Sequence, residues 1–148
     1  YKTQALSLLT SLDAYKYNFL RKRAVTGTYF EDSNTSAPDT NDFAYIENCR
    51  TVDKAVRLTK LNCEVKINSE LLLNANGTLF EDTIADFERL VAIGLDDMAR
   101  NQEISAYSIT INPSQDVLTT STIVIGIKIV PVGVARQIEF NIGLTPSI

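Results

Sequence analysis

Few side chains in this sequence are equipped for catalysis or metal binding, and their types and spacing limit what each can do. Cys49 and Cys63 are the only thiols, Asp96 and Asp97 are adjacent carboxylates, and Asn74-Ala-Asn-Gly77 has the composition of a cation-binding turn. The 148 residues include no histidine, which removes the commonest general base and the commonest metal ligand together. Ser-His and Cys-His nucleophile systems are therefore excluded within the chain. Two cysteines with thirteen residues between them and no histidine cannot complete a structural zinc site. Asp96 and Asp97, next to each other on a helix, point in different directions. Laid on a calcium loop by its glycine, the Gly77 turn puts Leu72 at the first ligand position and Thr83 at the last, where carboxylates are required. Six glycines, none suitably clustered, leave no phosphate-binding or dinucleotide fingerprint. The expectation is a protein with no catalytic residues, no metal site and no cofactor, and not an enzyme.

The elements around these residues carry more information. At 45% apolar the chain can bury a core and reads as a single domain over 1–148. A net charge of −4 and a pI near 4.8 argue against nucleic acid as a partner. Up to Lys66 there are 10 Lys/Arg against 8 Asp/Glu, and beyond it 4 against 10, an asymmetry able to orient copies head to tail. Two isolated cysteines in a chain of this size favour free thiols in a reducing compartment over a disulfide framework. No apolar run approaches the length of a membrane span and no signal peptide is visible. Met98 is the only methionine, and the chain opens at Tyr1 inside a helical pattern, as expected of a processed product or a piece of a longer protein.

Ala5, Leu8, Leu9, Leu12, Tyr15 and Phe19 recur at helical spacing and predict a helix over 4–21, with Arg21-Lys22-Arg23 complementing its dipole. Gly27–Glu31 reads as a short strand. Residues 32–42 are almost entirely turn formers and predict a surface loop. Phe43–Thr51 reads as extended, leading into a helix capped by Thr51 whose buried face is Val52, Ala55, Val56, Thr59 and Cys63. Ile67–Leu73 is extended and Asn74–Gly77 a turn. Asn34-Thr-Ser36 and Asn76-Gly-Thr78 match the glycosylation pattern by chance. Thr78 and Glu81 have the spacing of a capping box, ahead of a stripe formed by Phe80, Ile84, Phe87, Val91, Leu95 and Met98. Tyr107, Ile109 and Ile111 alternate with Ser108, Thr110 and Asn112, and Val117–Ser121 bridges onward.

The end of the chain, 122–144, reads as a hairpin. Ile123, Ile125, Ile127 and Ile129 share one face, and Ile138, Phe140, Ile142 and Leu144 share a face of the second strand. Helices covering one face of a mostly antiparallel sheet make an α+β domain.

The run Tyr45-Ile-Glu-Asn-Cys-Arg-Thr-Val-Asp-Lys-Ala-Val-Arg57 resembles the strand-to-helix segment of contractile tail sheath proteins, where a tyrosine and an arginine precede a helix. The Phe80–Met98 helix, the Ser105–Asn112 strand and Ile123–Val130 followed by Pro131 then occur in the sheath order, and Gln137-Ile-Glu-Phe-Asn-Ile-Gly-Leu144 is similar to the family's last core strand. Val134-Ala-Arg-Gln-Ile138 stands where the family often has a Pro-Ala-Glu-Phe-Ile type sequence, and Thr145–Ile148 is only a stub of its C-terminal arm. The resemblance implies the conserved C-terminal domain of a sheath subunit from a phage tail or injection system. Such subunits stack as hexameric rings around an inner tube and exchange strands with their neighbours. They assemble in an extended state and contract to drive the tube through a target envelope. The implied partners are further copies, the inner tube protein, the baseplate and the tail terminator, without nucleic acid or membrane insertion. The implied location is the producing bacterium's cytoplasm, then the virion tail or injection particle. Ile138, Glu139, Phe140, Asn141 and Ile142 would make inter-subunit strand contacts, with Arg136 nearby. Either Arg50, Lys54 and Arg57 or Asp96 and Asp97 would meet the tube or a neighbouring ring. The competing readings are a monomeric binding module using the 32–42 loop, and a hydrolase relying on carboxylates alone.

Overall fold

The longest apolar stripe in the sequence becomes the central helix of a computed structural model that describes residues 2–23, 27–136 and 138–139. The chain divides into two compact units, Tyr1–Asp32 with Gly133–Ile148, and Ser33–Val132.

In the larger unit, helices α2 (Ile46–Cys63) and α3 (Glu81–Arg100) pack on one another, and α3 packs on strand β3 (Ile104–Ile111). Strand β4 (Ile125–Pro131) pairs antiparallel with β3, in register Ile111↔Ile125, Ile109↔Ile127 and Tyr107↔Ile129. Phe87, Val91, Leu95 and Met98 bury the α3 stripe, and Ala55 and Thr59 bury the matching face of α2. Tyr107, Ile109, Ile125, Ile127 and Ile129 close this core from the sheet. A second cluster of Leu79, Phe87, Ile111 and Val117 fills the other end. Gly94 sits where the helices cross: a Cβ there would lie 2.9 Å from Leu58 Cβ, so only glycine lets them approach this closely. The α+β architecture, with helices on one face of antiparallel strands, is therefore as the sequence reads.

Local boundaries differ from the sequence expectations. α2 begins at Ile46, behind the N-cap Tyr45, so residues 46–51 are helical rather than extended. Thr51 lies inside the helix and its Oγ1 donates to Glu47 O at 2.9 Å instead of capping an amide. The start is set from outside: Ile46 N donates to Ser33 O at 2.9 Å, and Glu47 places an acid in the positive first turn. The Thr78–Glu81 capping box does not form, because Phe80 is the N-cap of α3 and Thr78 Oγ1 donates to Asn76 Oδ1. α3 ends in a Schellman motif, with Gln102 left-handed (φ 57) and Glu103 N donating to Met98 O at 2.9 Å. The bridge after β3 contains a one-turn helix, α4 (Val117–Thr120), capped by the Asp116 side chain.

In the smaller unit, α1 (Lys2–Ala14) is shorter than the expected 4–21 helix. Lys16 turns left-handed (φ 61) and Tyr17 N donates back to Leu12 O at 2.9 Å, again a Schellman stop. The released chain forms β1 (Leu20–Arg23), which pairs antiparallel with β2 (Gly27–Phe30). Arg21-Lys22-Arg23 is therefore a strand and not a helix cap. Arg21 Nη1 meets Glu31 Oε1 at 2.5 Å, and Arg136 Nε meets Asp32 Oδ1 at 2.9 Å.

Candidate assembly surface

The β3–β4 ladder leaves one edge of β4 without a strand neighbour among the described residues. In an antiparallel ladder every second residue turns its N–H and C=O towards each edge, so a free edge is a template for another strand. Pro131, which has no N–H, closes the strand. The expected hairpin partner, 137–144, lies outside the described residues except for Ile138 and Glu139. Both of these are exposed and in no strand, so within the described chain β4 takes β3 as its ladder partner.

Beside that edge runs a trough of about 340 Å³. Val52, Ala55, Val56 and Thr59 of α2 form one wall, Ile127, Ile129 and Pro131 of β4 the other, and Asp42 and Phe43 one end. Its origin is in the packing: α3 lies over β3, whereas α2 rests on α3 and leaves the space beside β4 unfilled. Val56, which the sequence places on the buried face, is 59% exposed, an apolar side chain with no core to enter. Val52, Ala55, Val56 and Thr59 form an ordinary helical stripe of about 100°, so the sequence carries no signal that separates the residues meeting α3 from those lining the trough.

Phe43 is placed by the loop before α2. Residues 32–42 are a loop, as the sequence reads, but an ordered one: Thr35 N donates to Ala44 O at 2.9 Å, Thr35 Oγ1 to Phe43 O at 2.6 Å, and Ser33 Oγ to a Glu47 carboxylate oxygen. The return leg buries Ala44 and leaves Phe43 half-exposed at the end of the trough.

The charged candidates are not equivalent. Lys54 is tied to Glu103, Nζ to Oε2 at 2.5 Å, and helps anchor α2. Asp96 Oδ1 accepts from the Tyr107 hydroxyl at 2.5 Å, and Asp97 faces Arg100 at 3.8 Å. Arg50 and Arg57, two helical turns apart on one side of α2, are exposed. The structure thus gives Lys54, Asp96 and Asp97 partners inside the domain and presents Arg50 and Arg57 outward. Phe140, Asn141 and Ile142 lie outside the described residues. The hydrogen bond to Asp96 raises the Tyr107 pKa, Lys66 beside Asp86 lowers that carboxyl's, and burial pushes the Cys63 thiol up. Both cysteines are free thiols. Among the described residues no group of three or more Cys, Asp or Glu side chains is placed to hold a metal ion, and no helix is long and apolar enough to cross a membrane.

A family model described as DUF2586, C-terminal domain, matches residues 42–147. The chain belongs to this family. No curated protein matches it. Among solved structures the DUF2586 domain is similar to the contracted PVC sheath complex of an extracellular contractile injection system. That likeness has 15% identity and a TM-score of 0.68, over 88% of this chain and 37% of that one. It is also similar to the contracted helical sheath of the anti-feeding prophage (AFP), at 16% identity and a TM-score of 0.71, over 93% of this chain and 39% of that one. The DUF2586 domain therefore has the contractile-sheath fold and spans less than two fifths of the length of those sheath chains.

Proposed function

We propose that this domain belongs to a structural subunit that assembles with copies of itself into a contractile sheath. The observation that carries the reading is the β4 edge, which has no strand neighbour among the described residues, beside an apolar trough, in a fold shared with sheath proteins. A strand laid along β4 would gain backbone hydrogen bonds from the edge, and its inward side chains would drop onto Val52, Val56, Ile127 and Ile129. Residues 138–142 of another copy have the required alternation, with Ile138, Phe140 and Ile142 inward and Glu139 and Asn141 outward. Strand donation of this kind leaves each domain rigid while the joints swing, which suits rings that must rearrange without unfolding.

We extend this reading, on the resemblance to sheath proteins, to hexameric rings around an inner tube, with contacts to baseplate and terminator, contraction driving the tube through an envelope, and passage from the bacterial cytoplasm to a virion or injection particle. The exposed Arg50 and Arg57 are the side chains of the charged set best placed to meet a tube or neighbouring ring, and the protein needs no catalytic group or cofactor for this work.

The test uses the full-length protein, produced with its tube protein and viewed by negative stain. Ile142→Asp and Val56→Glu should abolish tubular particles while the protein stays folded by circular dichroism, and Asp39→Ala in the loop should assemble normally. Tubes from all three variants alike would rule out joining by strand donation, and a full-length protein that never co-assembles would rule out the sheath reading.

A further inference from the structure

We propose that Asn76 is a site of spontaneous deamidation, with Thr78 supplying the donors that speed it. Of the asparagines in the sequence, Asn76 alone is followed by glycine. Gly77 carries no Cβ to shield its nitrogen, has φ +81, and has no atom within 4 Å of where a Cβ would stand. Asn76 is exposed, in the turn that joins the bridged residues Leu73 and Leu79. Its Oδ1 accepts two hydrogen bonds, from Thr78 N at 3.2 Å and from Thr78 Oγ1 at 2.8 Å. These donors are aimed at the oxygen that turns negative when the side-chain carbonyl is attacked, which is the arrangement of an oxyanion hole.

The chemistry needs only water and hydroxide. Hydroxide removes the Gly77 amide proton, and the nitrogen attacks Asn76 Cγ. The N–Cγ bond forms, the Cγ–Nδ2 bond breaks, and Nδ2 leaves as ammonia after taking a proton from water, closing a succinimide. Water then opens the ring at Cγ to give aspartate, or at the backbone carbonyl carbon to give isoaspartate. One contact acts against the first step: Gly77 N–H donates to Asn74 O at 2.9 Å, so that proton is held. That contact slows the removal of the proton, and because hydroxide removes it the rate follows hydroxide. Isoaspartate adds a backbone atom between Leu73 and Leu79, and Leu79 is 2% exposed in the second core cluster, so conversion loosens that end of the domain.

The purified protein is incubated under mildly alkaline conditions and digested, and its peptides are followed by mass spectrometry with fragmentation that separates isoaspartate from aspartate. The peptide holding Asn76 should become heavier by about one dalton. Its rate should rise by about tenfold per pH unit, as expected of specific-base catalysis. Asn76→Gln should stop the change. Thr78→Val should slow it by about tenfold, less than the ~100-fold seen for a buried oxyanion donor because this turn is wet. An unchanged peptide, while a synthetic 72–80 peptide deamidates under the same conditions, would overturn the proposal. So would a Thr78→Val rate equal to or above that of the wild type.

Discussion

The two antiparallel strand pairs among the described residues, β1–β2 and β3–β4, are built on the same ladder chemistry and end in different conditions. In β3–β4 the inward residues Tyr107, Ile109, Ile125, Ile127 and Ile129 pack against helices, while Ser108, Thr110, Gly126 and Lys128 face outward. In β1–β2 Leu20 and Phe30, opposite each other across the ladder, are 60% and 67% exposed, so the face they share is not covered within its own unit. A two-stranded ribbon is marginal in water by itself, and a covered face is what makes it persist. Backbone pairing sets the shape of a hairpin, and the helix laid on it supplies the stability. Strand β4 lies between these conditions: its inward face is packed beside the trough, and among the described residues its far edge has no strand neighbour.

Cutting into the covered face should have the largest effect. Leu95 is fully buried between the helices and the sheet, so Leu95→Ala should cost about 3–5 kcal/mol in a urea titration. Phe30→Ala in the uncovered hairpin should cost less than about 0.5 kcal/mol. Similar losses at the two sites would mean that the β1–β2 face is buried in solution and the contrast is false.

The helix crossing that puts α3 over the sheet gives a second handle. Gly94→Val would push a branched side chain into Leu58 and Asn62, at a cost of about 1–3 kcal/mol from overpacking. Thermal melts would show it, and a melting temperature at or above that of the wild type would mean that the helices separate more easily than their contact suggests.

The smallest effect concerns the clasp between α3 and β3. The hydrogen bond from the Tyr107 hydroxyl to Asp96 raises the tyrosine pKa above its ordinary value. A group whose folded pKa is raised adds stability below the unfolded value and loses it as the pH climbs through the folded one. Stability should therefore fall above about pH 10, by less than ~1 kcal/mol because the pair is exposed. Spectrophotometric titration should show a late-ionising tyrosine that Asp96→Asn moves back towards the ordinary range, and a titration unchanged by that substitution would remove the clasp.

Much of the covered region is legible in the residue pattern. The α3 stripe is buried at Phe87, Val91, Leu95 and Met98, and the alternation of 107–111 and 123–129 predicts the inward face of both strands. The readings that fail are local. Thr51 and Thr78 have the residue type and spacing of caps, yet the helices start at Ile46 and Glu81 because contacts from outside, such as Ser33 O to Ile46 N, choose the first turn. The 4–21 pattern runs past the point where Lys16 adopts a left-handed conformation, which no glycine or proline announces.

The sequence by itself determined the class of the domain, the faces its helices and strands bury, and the absence of histidine-based chemistry, because apolar periodicity and residue inventory are local properties. Only the tertiary structure decided that β4 takes β3 as its neighbour, that α2 stops short of β4, and that Val56 lines a trough instead of a core. Alternation states that a strand has a buried face, but it is silent on which strand lies beside it. That choice is made by long-range packing, and among the described residues it leaves one edge of β4 without a strand neighbour.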